Sequence, residues 1–78
     1  MKVVIVSPEK TLYEGEAEGV KLPGVKGRFE VLNGHAPLVS TLASGTVECV
    51  GASPCTFSVK GGFVEVAQNE VSVCVELM

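Results

Sequence analysis

Glu70-Val71-Ser72-Val73-Cys74-Val75-Glu76-Leu77 sets an apolar residue at every second position. Successive side chains of an extended strand point to opposite faces, so Val71, Val73, Val75 and Leu77 share one face. A helix would scatter the same four around its axis. The stretch therefore reads as a strand with one buried side, and the segments before it repeat the pattern. Gln68-Asn69 turns the chain into this strand, and upstream of the turn Val64 and Val66 point inward while Phe63 points out. Gly61-Gly62 reads as a tight connection that needs positive φ. Before it, Cys55, Phe57 and Val59 alternate with Thr56, Ser58 and Lys60. Gly51-Ala52-Ser53-Pro54 closes a hairpin from 46–50, where Val47 and Cys49 lie on one face and Thr46 and Glu48 on the other.

The amino-terminal half follows suit. Lys2 to Val6 is apolar on both faces, which suits a strand with core on one side and a cover on the other. Strands follow over 12–16 and 17–22, with Gly15 and Gly19 available for a bend or bulge. Further strands are expected at 28–32 and 37–42, and Ala43-Ser44-Gly45 turns the chain. Many short strands with regular turn signals predict one all-β domain over 1–78, an antiparallel sandwich or flattened barrel.

Composition narrows the function. A chain of 78 residues that is 46% hydrophobic carries more apolar surface than so small an interior can hide. The excess points to an exposed patch and a protein partner, or else to a tightly filled two-sheet core. A net charge of -3 and the lack of a Lys/Arg cluster exclude nucleic acid as partner. The longest apolar run, Val3 to Val6, is strand-sized, and Ser7-Pro8-Glu9-Lys10 follows too soon for a signal peptide. Cys49, Cys55 and Cys74 leave one thiol unpaired under any disulfide scheme and show no CxxC spacing. They read as reduced, buried cytosolic thiols, and with one histidine they do not make a zinc set.

Catalytic chemistry has little to stand on. His35 is a conceivable general base with Glu30 or Glu48 to orient it, but the chain contains no Asp. Ser40, Ser44 and the cysteines sit in no nucleophile elbow. Gly24-Val25-Lys26-Gly27 lacks the Lys-Ser/Thr and following helix of a phosphate loop. Glu14, Glu16 and Glu18 alternate along one strand face and read as a solvated surface. No catalytic residue, cofactor site or metal site is assigned.

The remaining surplus is Asn33-Gly34-His35-Ala36-Pro37-Leu38-Val39. A turn needs only Asn-Gly; Pro37 then removes a donor and pushes Ala36 towards an extended conformation. His35 either caps this turn or stacks beside Pro37, or else it presents a rigid polar contact to another subunit. This motif follows Leu22-Pro23-Gly24-Val25-Lys26-Gly27 and precedes Gly61-Gly62-Phe63-Val64-Glu65-Val66 and Asn69-Glu70-Val71-Ser72-Val73. In that order the chain resembles, over almost its whole length, the amino-terminal domain of the epsilon subunit of F-type ATP synthases. Leu42, Gly45, Val47, Ser7 and Gly15 fit the same pattern.

The resemblance implies a flattened antiparallel β-sandwich of about ten short strands. It implies a non-catalytic central-stalk rotor subunit that joins the gamma subunit to the membrane c-ring and couples proton-driven rotation to ATP synthesis. It places the protein peripherally at the cytoplasmic face of the bacterial cell membrane, held there only by the complex. Val25, Lys26, Arg28 and the turn at His35 fall where the family meets its rotor neighbours, and Ser7 falls near the gamma-facing surface. Glu30 joins Lys26 and Arg28 in an orienting polar rim, and Phe63, set opposite Val64 and Val66, is either a candidate anchor or stacked in the core of a twisted sheet. The family often has Pro at the position of Asn33, Gly at that of Glu30 and an acidic residue near Arg28; the reversed charge bears on any salt link to the ring. Typical bacterial members continue into two helices that block hydrolysis, and some bind ATP there. No C-terminal helical hairpin is expected after Met78, so neither property is expected here. A free-standing sandwich that binds another protein or a sugar would explain the fold, but would leave the ordered motifs unexplained.

Overall fold

The computed structural model describes residues 1–78 as eight strands with no helix. They are β1 (Lys2–Val6), β2 (Thr11–Glu16), β3 (Gly19–Gly24), β4 (Gly27–Leu32), β5 (Leu38–Leu42), β6 (Gly45–Val50), β7 (Cys55–Ala67) and β8 (Glu70–Leu77). One sheet runs β2-β1-β8-β7-β5-β3-β4, and β6 bridges β3 and β7. The bridge folds the sheet over on itself into a flattened sandwich.

The count is eight, below the ten or so expected, and β7 shows part of the reason. Gly61-Gly62 makes no turn: β7 runs through it for 13 residues. The amino-terminal half of β7 pairs with β6 and its carboxy-terminal half with β5, so one strand serves both layers. A register shift between Val59 and Gly61 marks the bend. Gly62 does adopt positive φ (150°), because a Cβ there would strike the Cys74 carbonyl of β8. The glycine pair bends a strand rather than ending one.

A second difference is one of direction. All pairings are antiparallel except β1 with β8, which are parallel with Val3 opposite Val71 and Ile5 opposite Val73. Strands from the two ends of the chain need no tight turn between them, so nothing local selects the antiparallel sense.

Alternation decides the core. One layer contributes Val3, Ile5, Val64, Val66, Val71, Val73 and Val75; the other contributes Val20, Leu22, Val31, Val47, Cys49 and Val59. β-branched side chains predominate because they pack stiffly on a pleated surface. Leu77, expected inside with the other residues of its face, is partly exposed at the strand end. Of the three thiols only Cys49 is buried; Cys55 and Cys74 are half-buried. Of 47 backbone–backbone hydrogen bonds, 39 lie within the strands, so the body is braced along nearly its whole length.

Candidate functional site

The two outer faces of the sandwich differ in character. On the face formed by β4, β3, β6 and the first half of β7, Glu30, Lys21, Glu48 and Thr56 stand side by side across four strands. Arg28 donates to the Thr46 carbonyl at 2.7 Å and pairs with Glu48 at 3.5 Å. That face is mainly polar, with Arg28 and Glu48 engaged by each other and Leu32 exposed among the polar side chains.

On the face formed by β5, β7, β8 and β1, cross-strand pairing sets Thr41, Phe63, Cys74 and Val6 in one row. The adjacent row is Val39, Glu65, Ser72 and Val4. Val39 is 73% exposed and Phe63 53% exposed, while Val4 and Val6 are half-buried beside them. A shallow cavity of about 120 Å³ lies among Val4, Val6, Phe63, Val73 and Cys74, with Glu65 and Ser72 completing its lining. Phe63 therefore points outward, as its alternation with Val64 requires. The second apolar face of Lys2–Val6 is the rest of this surface, and no element of the chain covers it. Val39, Val4 and Val6 were not singled out as contacts. Val39 directly follows Pro37-Leu38, and which of Leu38 and Val39 faces the core is fixed only by pairing with β7.

The β3–β4 hairpin borders this face. Val25, 57% exposed, donates its backbone N–H to the Thr41 carbonyl at 3.2 Å, next to Phe63 in the cross-strand row. A cleft of about 600 Å³ opens between the hairpin and β5, lined by Val25, Lys26, Arg28, Phe29, Leu38 and Val39. Lys26 at the hairpin tip is exposed and forms no ion pair, whereas Arg28 is engaged internally. Glu30 is exposed opposite Lys21.

The other candidates lie apart from this group. His35 sits at the far end of β4 from Lys26, about 17 Å away along the strand. Its N–H closes a turn onto the Leu32 carbonyl at 3.1 Å, with Gly34 at φ 78°, and its Nδ1 lies 2.7 Å from the Ala36 carbonyl. No carboxylate contacts it, and Glu48 is committed to Arg28. The turn does not join paired strands, since β4 and β5 are not neighbours. Ser7 is buried in its own turn, where its Oγ lies 3.3 Å from both the N–H and the carbonyl of Lys10. Val25, Lys26, Arg28 and Phe63 thus group around the hairpin and the apolar face, and His35 and Ser7 do not join them.

The fold defines the class: a helix-free β-sandwich domain whose two outer faces differ, one mainly polar and the other exposing Val39 and Phe63. Residues 1–78 match the ATP synthase Delta/Epsilon chain, beta-sandwich domain, and the chain belongs to that family. It is 46% identical over 74 residues to the ATP synthase epsilon chain of Leptospira interrogans, covering 94% of this chain and 58% of that one. Against the epsilon chain of Chlorobaculum tepidum it is 43% identical, covering 92% of this chain and 84% of that one. It superposes on a chain in the structure of the Tetrahymena thermophila mitochondrial ATP synthase central stalk and c-ring with a TM-score of 0.81 at 18% identity, covering 96% of this chain and 62% of that one. This chain thus spans little more than half the length of the Leptospira relative.

Proposed function

We propose that this domain is a rotor element of an F-type ATP synthase that joins the gamma subunit to the membrane c-ring. The observation that carries the reading is the contrast between the two outer faces. On the first face Arg28 and Glu48 are paired with each other, whereas the second leaves Val39 and Phe63 in water beside half-exposed Val4 and Val6, with Glu65 and Ser72 among them. Gamma covers that face, with Phe63 and Val39 as anchors. The exposed tip at Val25 and Lys26 is the contact with the polar loops of the ring, where the unpaired Lys26 ammonium steers docking. Arg28 holds the hairpin against β6 rather than reaching the ring, so reversal of its charge relative to the family's pattern has a local use.

The role asks for stiffness and no turnover. Torque passed from ring to gamma would be lost in a compliant link, and the β-ladders supply the resistance. Held between the two, the protein resides peripherally at the cytoplasmic face of the bacterial membrane. Phe63 and Lys26 are the central contacts in this reading; exposed Glu30 and His35 are peripheral ones, and Ser7, buried in its own turn, shapes the surface rather than touching a partner. Mixing the chain with purified gamma and with detergent-solubilised c-ring tests this directly. Co-elution of all three is expected, and failure to bind either one would overturn the proposal.

A further inference from the structure

Cys49 and Cys55 lie directly opposite each other across the β6–β7 pair. The sequence alone presents them as two scattered thiols; the hairpin sets them side by side at its end. Opposed residues of an antiparallel pair have Cα atoms about 4.5–5.5 Å apart, within the about 4.4–6.8 Å that a disulfide spans. Directly opposed residues of a strand pair project their side chains from the same face, so the two thiols are neighbours. Cys49 is buried and Cys55 half-buried. The Tyr13 hydroxyl donates to the Ser53 carbonyl at 3.2 Å, holding the loop that carries Cys55 against β2. Cys74 is elsewhere, on the outer face of β8 opposite Phe63.

We propose that Cys49 and Cys55 form a reversible disulfide site whose oxidant is a hydroperoxide. The two thiols have unequal tasks. Burial first, then the neighbouring Cys55, push the Cys49 thiol up to about 12, so it does not ionise to meet an oxidant. Cys55 is the one an oxidant reaches. Its sulfur attacks one peroxide oxygen, the O–O bond breaks, and Cys55 becomes a sulfenic acid while the other oxygen takes up the thiol proton and leaves as water or an alcohol. The Cys49 sulfur then attacks the Cys55 sulfur. The S–O bond breaks, and the hydroxyl leaves as water with the Cys49 proton. Two thiols have given two electrons to one peroxide, and a dithiol reductant reverses the step.

Proteolysis tests the pairing without ambiguity. Cleavage after Lys and Arg leaves both Cys49 and Cys55 in the single peptide 29–60, and Cys74 in 61–78. The folded chain is exposed to hydrogen peroxide, its free thiols are alkylated in denaturant, and it is digested and weighed. The expected result is a 29–60 peptide lighter by two hydrogens and free of alkyl label, which dithiothreitol restores to the dithiol mass, with Cys74 labelled throughout. Cys74→Ser should leave this unchanged. Cys55→Ser should leave Cys49 fully alkylatable after peroxide. Label on both cysteines of 29–60, a sulfinic acid at Cys55, or a link from 29–60 to 61–78 would each overturn the proposal.

Discussion

The side-chain oxygen of Asn69 accepts a hydrogen bond from the backbone N–H of Gly34 at 3.0 Å. The Asn69 amide nitrogen in turn donates to the Asn33 side-chain oxygen at 3.3 Å, which also accepts from the Met1 amine at 2.8 Å. Two turns 35 residues apart are thereby fastened to each other and to the start of β1. Gln68 and Asn69 both have positive φ, 52° and 60°, the geometry of a two-residue hairpin loop between β7 and β8. Asn69→Gly keeps that geometry and deletes only the amide, so it should cost about 1 kcal/mol. Gln68→Gly deletes no contact and relieves a left-handed residue, so it should be neutral or stabilising by up to about 1 kcal/mol. Urea denaturation midpoints separate the two; equal losses would mean that the inter-turn bonds add nothing.

Gly62 and Gly27 both hold positive φ, 150° and 130°, but in different surroundings. A Cβ on Gly62 would collide with the Cys74 carbonyl and sit 2.9 Å from the Val75 Cα, whereas one on Gly27 would meet nothing within 4 Å. Gly27→Ala should therefore cost only its backbone strain, about 1–2 kcal/mol. Gly62→Ala must also part β7 from β8, and a loss above about 3 kcal/mol is expected. Similar midpoints for the two variants would refute the close-approach account.

Alkali should weaken the fold before acid does anything through these groups. The Cys49 thiol is raised from its ordinary 9.0 to about 12. Tyr13 is raised too, first by burial and then by Cys49, Cys55 and Glu16. A raised pKa means that the folded state holds a proton which the unfolded chain releases earlier. The stabilisation is therefore complete below about pH 9 and is lost as pH climbs from 9 towards 12. Melting temperature should stay level up to pH 8 and fall from pH 9 upwards, with a shallower slope in Cys49→Ala. An unchanged slope in that variant would assign the loss to other groups.

Exposed residues permit a clean separation of binding from folding. Val39→Glu and Phe63→Glu put charge where the fold already admits water, so each should alter stability by no more than about 0.5 kcal/mol. In the covered interface the same charge would be desolvated without a partner, and gamma affinity should fall by about 100-fold. Lys26→Glu should weaken ring binding, more strongly at low salt, and leave gamma binding intact. Titration calorimetry with each partner checks all three, and retained gamma affinity in Phe63→Glu would remove that face from the interface.

Much of this was legible beforehand because alternation is local. Inward Val64, Val66, Val71, Val73 and Val75 and outward Phe63 follow from period-two patterning, and the motif from Asn33 to Val39 carried the family. Gly61-Gly62 misled because a strand bend and a strand end ask the same positive φ of the backbone. His35 and Ser7 looked equivalent to Lys26 in the sequence, yet one lies at the opposite end of β4 and the other is closed within its own turn. Arg28 looked like a free charge and is spent on Thr46 and Glu48.

Where apolar and polar residues alternate, the amino-acid order alone settled which side chains face in, because strand geometry assigns faces residue by residue; at Leu38-Val39 and at Leu77 it did not. It could not settle which outward rows become neighbours. The parallel match of β1 with β8, the meeting of the two asparagine turns, the facing thiols of Cys49 and Cys55 and the union of Val39, Phe63, Val4 and Val6 are all products of long-range pairing. Register between strands distant in the chain is chosen by the packing of the whole core, and no local preference encodes it.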